Sequence, residues 1–319
     1  MSSAPSPSIF SDRKVVFAIA TLCAFLWGSA VPAVKIGYEV FALSRDDTGS
    51  LVLFAGVRFF IAGVLLLGLA LLTGKRLAMP PRRVGQVALL GLLSTTGQYI
   101  FYYIGLAHST GVKVSIITSI STFFSVILAH LLYVNDKLTP RRILGCIIGL
   151  AGVVAVNLGA GGFDLHVSML GEGFIVAAAL LFSIAGIYGK RISQNIDVMV
   201  MTGGQLLIGG ALLGLLGLAL GGQFTRFSWD AALLMLYLAV LSAAAFALWS
   251  LLLKHNPVGI VAIFNCLIPI FGVLLSGLFL GESVLEWKNL VALVLVSVGI
   301  VLVTAVVRGG RSAGVGAAG

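Results

Sequence analysis

The sequence predicts an all-α integral membrane protein, with ten transmembrane helices arranged as a 5+5 inverted repeat around a central cavity. Three observations carry that expectation. Of the 319 residues, 59% are hydrophobic and only 10% are charged, whereas soluble domains carry roughly 25% charged residues. The apolar residues gather in ten stretches, most of them close to the roughly 17–25 residues a helix needs to cross a bilayer. Lys and Arg fall mainly in alternate connections between those stretches, which is how membrane topology is written into a chain.

The first stretch, Val15–Tyr38, follows Arg13 and Lys14 as a signal peptide would. No Ala-x-Ala-like cleavage site follows, so it reads as a retained helix. Leu51–Thr73, Val84–Ala107 and Val114–Val134 come next. They are uniformly apolar rather than alternating, which argues against a β-barrel. Helices also satisfy their own backbone groups, as lipid demands. Ile143–Leu158 and Gly173–Gly189 are the shortest. Gly145, Gly149 and Gly152 give the fifth stretch a small-residue face, and Gly210-x-x-x-Gly214 does the same within Val198–Leu220. Such faces let helices approach closely, within a monomer or across a homodimer. Ala231–Leu253, Val258–Leu280 and Leu290–Val307 complete the set. Residues 1–12 (Ser and Pro rich) and 309–319 (Gly and Ala rich) read as disordered tails.

With the N-terminus in the cytoplasm, the inner segments hold Arg13, Lys14, Lys75, Arg76, Arg82, Arg83, Lys137, Arg141, Arg142, Lys190, Arg191, Lys254, Arg308 and Arg311. The outer loops hold only Arg45, Lys113, Arg226 and Lys288. That bias places both termini inside a plasma (inner) membrane. The net charge of +9 then reflects topology and not nucleic-acid binding.

Ten stretches divide into 13–160 and 170–308. A slide of 146 residues sets Asp136 over Glu282, Arg142 over Lys288, Val112 over Val258 and Leu128 over Leu274. A second register sets Lys35 over Lys190 and Trp27 over Phe182. An odd number of spans per half forces the second half to enter upside down. Inverted repeats of this kind place a ligand site between the halves near the midplane.

Polar residues inside lipid are costly unless they face protein or water. Ser115, Thr118, Ser119, Thr122 and Ser125 form one stripe at helical spacing. They line a cavity or bond back to the preceding turn. Gln98 and Tyr102 share a face of the third stretch; Gln98 faces a cavity or bonds to a neighbouring helix, and Tyr102 faces the cavity or joins an interfacial aromatic belt. Gln205, Asn265, Phe246 and Trp249 are further candidates, and Trp27, Tyr102, Phe246 and Trp249 would make an aromatic box. Such faces suit an aromatic ring or a cationic head. Arg58, deep in the second stretch, attracts a substrate carboxylate or caps free carbonyls of a broken first helix, with Glu39, Asp46 and Asp47 as other partners. Gly28, Pro32 and Pro269 mark hinges or helix breaks. Lys35 is placed to snorkel to the headgroups.

Some chemistry is disfavoured. The three cysteines, Cys23, Cys146 and Cys266, are widely spaced and sit in apolar spans, so they suit packing rather than a disulfide or zinc. No Walker motif, metal cluster or nucleophile–base arrangement stands out, so no cofactor and no catalysis are expected. No filter-like loop supports a channel. No carboxylate lies near the centre of a span, which leaves proton coupling without an obvious site.

The run Phe25-Leu26-Trp27-Gly28-Ser29-Ala30-Val31-Pro32-Ala33-Val34-Lys35 resembles the opening motif of EamA-type permeases of the drug/metabolite transporter superfamily. Arg58, Gly105-Leu106-Ala107, Pro269 and Gly281-Glu282 are similar to further family positions. The first half departs from the pattern, with Phe123 opposite Pro269 and Asn135-Asp136 opposite Gly281-Glu282. The resemblance implies ten helices, an inverted repeat, a central cavity and export of small metabolites, and the lack of a carboxylate near a span centre adds facilitated movement as an alternative. Amino-acid exporters of the YddG type are one branch with that architecture. Amino acids, aromatic ones included, are the first expectation for cargo, and cationic amines the second.

Overall fold

The structure, a computed structural model, describes residues 9–132, 139–156, 167–226, 228–256, 261 and 263–304. Among these residues every regular element is helical. The helices are α1 (Arg13–Val40), α2 (Thr48–Leu72), α3 (Pro81–Gly91), α4 (Gln98–Ala107), α5 (Gly111–Ile117) and α6 (Ile120–Leu132). They continue as α7 (Pro140–Ala155), α8 (Phe174–Ser193), α9 (Val198–Ala219), α10 (Trp229–His255), α11 (Leu267–Leu280) and α12 (Trp287–Thr304). A π turn at Leu92–Gly97 joins α3 to α4, and another at Met169–Gly173 leads into α8. Seven helical stretches are long and apolar enough to cross a membrane, and two shorter apolar helices follow them. Large side chains such as Leu69, Leu72, Leu215 and Leu218 are exposed along these helices. The protein is therefore an integral membrane protein, its outer surface solvated by lipid.

Short polar residues set the helix starts. The Asp12 carboxylate accepts from the amides of Lys14 and Val15, and Asp47 accepts from Ser50. Thr110, Thr139 and Ser228 cap α5, α7 and α10 in the same way. Each cap is worth about 1 kcal/mol. Order begins earlier than the sequence suggests, because Ile9–Ser11 forms a 3-10 turn and Asn256 Nδ2 donates to the Phe10 carbonyl at 2.8 Å. The expected tail at 309–319, Asp136 and most of the boundary segment lie outside the described residues.

Two helix pairs are packed backbone to backbone. α2 and α9 run antiparallel: a Cβ on Gly49 would meet Gly222, one on Gly56 would meet Gly214, and one on Gly63 would meet Leu207. From the other side, Gly203, Gly210 and Gly217 press on Leu67, Phe60 and Leu53. α7 packs antiparallel on α12, with Gly145 against Val303 and Gly299, and Gly152 against Ala292. The small-residue face of the fifth stretch is thus occupied within the chain. α1 packs on α10 and α11, while α8 packs on α4 and α6.

The breaks fall elsewhere than Pro32. α1 runs unbroken through that residue. Gly28 is a point of close approach, where a Cβ would come within 2.7 Å of Phe271 Cβ and 2.9 Å of the Gly272 nitrogen. Pro269 is the third residue of α11, where no intrahelical bond awaits its missing N–H. The interruption lies just before it, in the 3-10 turn Ile263–Cys266. The fourth stretch breaks too, between α5 and α6. There Ser119, Ser121 and Thr122 bond to Ile116, Thr118 and Ser119, each three residues back. Thr118 and Ser119 shifted by the 146 residues of the internal register fall on Phe264 and Asn265, inside that second break.

At the end of the bundle that holds the start of α1, Lys75 Nζ lies 3.0 Å from Asp197, which also caps α9. Burial pushes the Asp197 carboxyl up, but the Lys75 ammonium and the Met199 and Val200 amides outweigh it and hold it below the usual carboxylate value. A depressed carboxyl contributes stability above its unfolded pKa and loses it as pH falls through the folded value. The melting-temperature gap between wild type and Asp197→Asn is therefore expected to be open at neutral pH and to shrink below about pH 4. Thermal unfolding in detergent across pH checks this, and a constant gap would contradict it.

Candidate functional site

A cavity of about 110 Å³ lies between the two halves of the chain. One water needs at least about 10–15 Å³, so the cavity has room for a few waters. Larger ligands require the walls to part. α1 contributes Trp27, Ala30 and Val31, α2 contributes Arg58, and α4 contributes Gln98, Tyr99 and Tyr102. The broken fourth stretch contributes Ser115, Thr118, Ser119, Ser121 and Thr122. Ala178, Ala179 and Phe182 of α8, Phe246 and Trp249 of α10, and Asn265 and Ile268 close the other side. The 3-10 geometry explains why so many hydroxyls arrive together. Local overwinding brings Ser121 to the wall beside the stripe of Ser115, Thr118 and Thr122. Asn265 Nδ2 reaches Thr122 Oγ1 at 3.5 Å, so the two breaks meet across the cavity.

Arg58 is 3% exposed and sits in that wall. Its Nε donates to the Leu238 carbonyl at 3.2 Å and Ser242 Oγ at 2.9 Å, and its Nη1 donates to the Tyr103 hydroxyl at 2.9 Å. The guanidinium also lies 4.9 Å from the centre of the Phe59 ring. Among the described residues no carboxylate pairs with it. Asp46 lies beside Arg45 and His108 instead, and Asp47 is spent on the cap of α2. The carbonyl that Arg58 caps belongs to α10, not to α1.

Three of the four expected box residues meet, and Tyr102 is not in ring contact with them. Trp27 meets Phe246 edge-on at 5.8 Å and Trp249 at 5.1 Å. Tyr102 packs against Tyr99 at 5.7 Å. Two polar atoms of the wall are buried without a partner, Gln98 Oε1 and Ser119 Oγ. Ser115 and Thr118 donate back to Gly111 and Val114, which leaves their lone pairs to the cavity.

Gln205 stands apart. Its Oε1 accepts from Ser94 at 3.2 Å, because the π turn of the third stretch bulges toward α9 and brings Ser94 and Thr96 onto that helix. The sequence offered no sign of that turn.

Toward the C-terminal end of α1 lies an aromatic cluster. Tyr38 donates to the Tyr103 carbonyl at 2.9 Å and sits among Phe54, Phe41 and Phe224. Beyond them, two carboxylates from the second half hold the start of α5 and the segment before it. Glu282 accepts from the Gly111 and Val112 amides at 2.8 and 2.7 Å and lies 3.4 Å from Lys35. Lys35 thus bridges to an acid instead of reaching freely for headgroups. Glu172 accepts from Ser109 Oγ at 2.8 Å and lies 3.4 Å from Lys113. Sequence reasoning marked Glu282 only as part of a motif, since capping across a distance of 171 residues leaves no local signal.

This arrangement of helices and cavity agrees with the comparisons with known proteins. The EamA-like transporter family matches residues 15–158 and again 169–305. The chain belongs to the EamA-like transporter family. It is 28% identical over 240 residues to the uncharacterized transporter YetK of Bacillus subtilis (strain 168), covering 72% of this chain and 71% of that one. It is 27% identical to YvbV of the same organism, covering 83% and 86%. It is also 27% identical to the uncharacterized inner membrane transporter YedA of Escherichia coli (strain K12), covering 88% and 87%. One solved crystal structure superposes with a TM-score of 0.70 at 20% identity, over 93% of this chain and 99% of that one. The protein is a membrane transporter.

Proposed function

We propose that this transporter moves small amphipathic metabolites bearing a carboxylate, amino acids with apolar or aromatic side chains foremost, by alternating access between two inverted five-helix halves. The observation that carries the cargo class is Arg58, a guanidinium buried in the cavity wall with no acidic partner among the described residues. A substrate carboxylate supplies the missing charge. Gln98 Oε1, a buried acceptor without a donor, suits the ammonium of a zwitterion. Trp27, Phe246 and Trp249 offer ring faces to an apolar side chain. Those faces alone would also suit a cationic amine. Charge decides against it, since a cation about 5 Å from Arg58 meets about 3 kcal/mol of repulsion at an effective dielectric of 20.

Several features support the inverted 5+5 plan. The family matches the chain in two consecutive blocks. Equivalent helices α2 and α9 run antiparallel, as do α7 and α12. The packing of α1 on α10 and α11 repeats as that of α8 on α4 and α6. The two breaks coincide under the internal register and give each half a joint at the cavity. The Lys and Arg bias supports placing both termini in the cytoplasm, with the chain in a plasma (inner) membrane.

Counterflow in proteoliposomes tests the reading. Preloaded amino acids with large apolar side chains are expected to drive saturable uptake of the labelled compound. Their decarboxylated amines are expected to be at least about 100-fold poorer. Equal exchange of acid and amine would remove Arg58 from the recognition scheme.

A further inference from the structure

A second concavity has no part in the transport reading. It is a cleft of about 400 Å³ between α3 and the C-terminal turns of α8, lined by Gln86, Tyr188, Arg191, Ile192 and Asn195. It lies at the bundle end that holds the start of α1, where α3 begins and α8 finishes. Its floor is a small separate core of Val87, Leu90, Ala185, Ile192 and Ile196.

Four polar side chains converge there, those of Gln86, Tyr188, Arg191 and Asn195. None of them hydrogen-bonds to another described residue through its side chain. Tyr188 and Arg191 lie one turn apart on one face of α8, and Asn195 follows in the turn after the helix. Arg82 and Arg83 precede Gln86 by four and three residues and sit one turn away on the α3 side. The acid closest in sequence, Asp197, is neutralised by Lys75 at 3.0 Å. The cleft therefore presents a cation with further amide and phenol donors, and no carboxylate is among its lining residues.

Its flanks are oily. Val84 and Leu89 on α3 and Leu180 and Ile184 on α8 are exposed. Leu180 and Ile184 lie eight and four residues before Tyr188, on the same helix face. A ligand for this place needs an anionic, acceptor-rich head at the bilayer edge and apolar chains running along the two helices. We propose that the cleft binds the phosphodiester head of an anionic phospholipid, with Arg191 as the bidentate donor to the phosphate.

The volume is ample for a phosphate ester, set against about 30 Å³ for one water in liquid. Bound there, the lipid bridges the first and second halves of the chain, since α3 belongs to one and α8 to the other. Arg191 sets the sign of the ligand, and the Gln86 and Asn195 amides and the Tyr188 phenol add donors for the phosphate oxygens.

The test uses the full chain purified in detergent and then mixed with phosphatidylcholine, with or without phosphatidylglycerol. Lipid retained in native mass spectrometry and the melting temperature are read together. The wild type is expected to retain phosphatidylglycerol about tenfold better than phosphatidylcholine and to melt higher with it. Arg191→Gln is expected to lose that preference, while Arg226→Gln, beyond the opposite end of α9, keeps it. If Arg191→Gln melts lower even in phosphatidylcholine alone, Gln86→Ala decides in its place, with a partial loss of preference expected. Equal retention of the two lipids, or an unchanged preference in the deciding variant, would overturn the proposal. Protection by free glycerol phosphate equal to that by phosphatidylglycerol would also overturn it, by assigning the cleft to a soluble phosphate ester.

Discussion

Arg58→Gln is expected to raise the half-saturating concentration of carboxylate-bearing substrates by about 100-fold or more while leaving the protein folded. The magnitude follows from the site. A guanidinium about 4 Å from a carboxylate contributes about 4 kcal/mol at an effective dielectric of 20, and each 1.4 kcal/mol is tenfold in affinity. Part of that is lost to desolvating the substrate, which leaves roughly two decades. Glutamine still reaches a carbonyl or hydroxyl, so Leu238, Ser242 and Tyr103 keep some of their hydrogen bonding. Arg58→Lys keeps the charge but cannot serve Leu238, Ser242 and Tyr103 at once, and is expected to fall between, at about tenfold. The matching amine lacks the carboxylate and is expected to gain in Arg58→Gln, as a like charge disappears. A structural role alone would weaken acid and amine together, so the opposite signs separate the two. Counterflow of both compounds, with size-exclusion profiles of each variant, makes the comparison. Unchanged acid affinity in monodisperse Arg58→Gln would end the carboxylate reading.

The cavity wall was legible where chemistry and helical spacing coincide. The stripe Ser115, Thr118, Ser119, Thr122 and Ser125 announces a polar face because such groups are costly in lipid, and the structure places the first four in one wall with Ser125 outside it. Trp27 meets Phe246 and Trp249, while Tyr102, the fourth member expected of the aromatic box, packs on Tyr99 instead. What the sequence hid were features that depend on partners far along the chain. Gln205 has the chemistry of a cavity residue, yet a π turn delivers Ser94 to it. Pro32 looks like a break, but α10 and α11 pack on α1 and the helix continues. The break between α5 and α6 carries no proline. It shows only as hydroxyl residues in succession, which also occur in intact helices. The seven-residue spacing of Gly49, Gly56 and Gly63, matched by Gly203, Gly210 and Gly217, was visible in principle. A search for four-residue spacing alone finds Gly210 with Gly214 and passes over it.

That distinction yields a sharp pair of substitutions on one helix. Gly210→Ala is expected to destabilise the protein by about 1–3 kcal/mol, and Gly214→Ala to leave it unchanged. A Cβ at Gly210 would overlap the Phe60 amide, with the Phe59 carbonyl carbon at 2.7 Å and Phe60 Cα at 2.9 Å. These are backbone atoms, so no rotamer change relieves the overlap and α2 must move away from α9. In lipid that separation is costly, because helices associate through close packing without a hydrophobic drive between them. The seven-residue period compounds the loss. Lifting the helices at Gly210 also loosens the contacts of Gly203 and Gly217, which lie on the same face. A Cβ on Gly214 meets nothing within 4 Å, although the residue lies only one turn further on. Its backbone is what Gly56 needs close, and an alanine there leaves that backbone in place. Since Arg58 rides on α2 between Gly56 and Phe60, Gly210→Ala is also expected to weaken transport where Gly214→Ala does not. Thermal unfolding of both variants in the same detergent reads the first effect, and counterflow reads the second. Equal melting temperatures for the two would mean that α2 and α9 are held apart by more than their glycines allow.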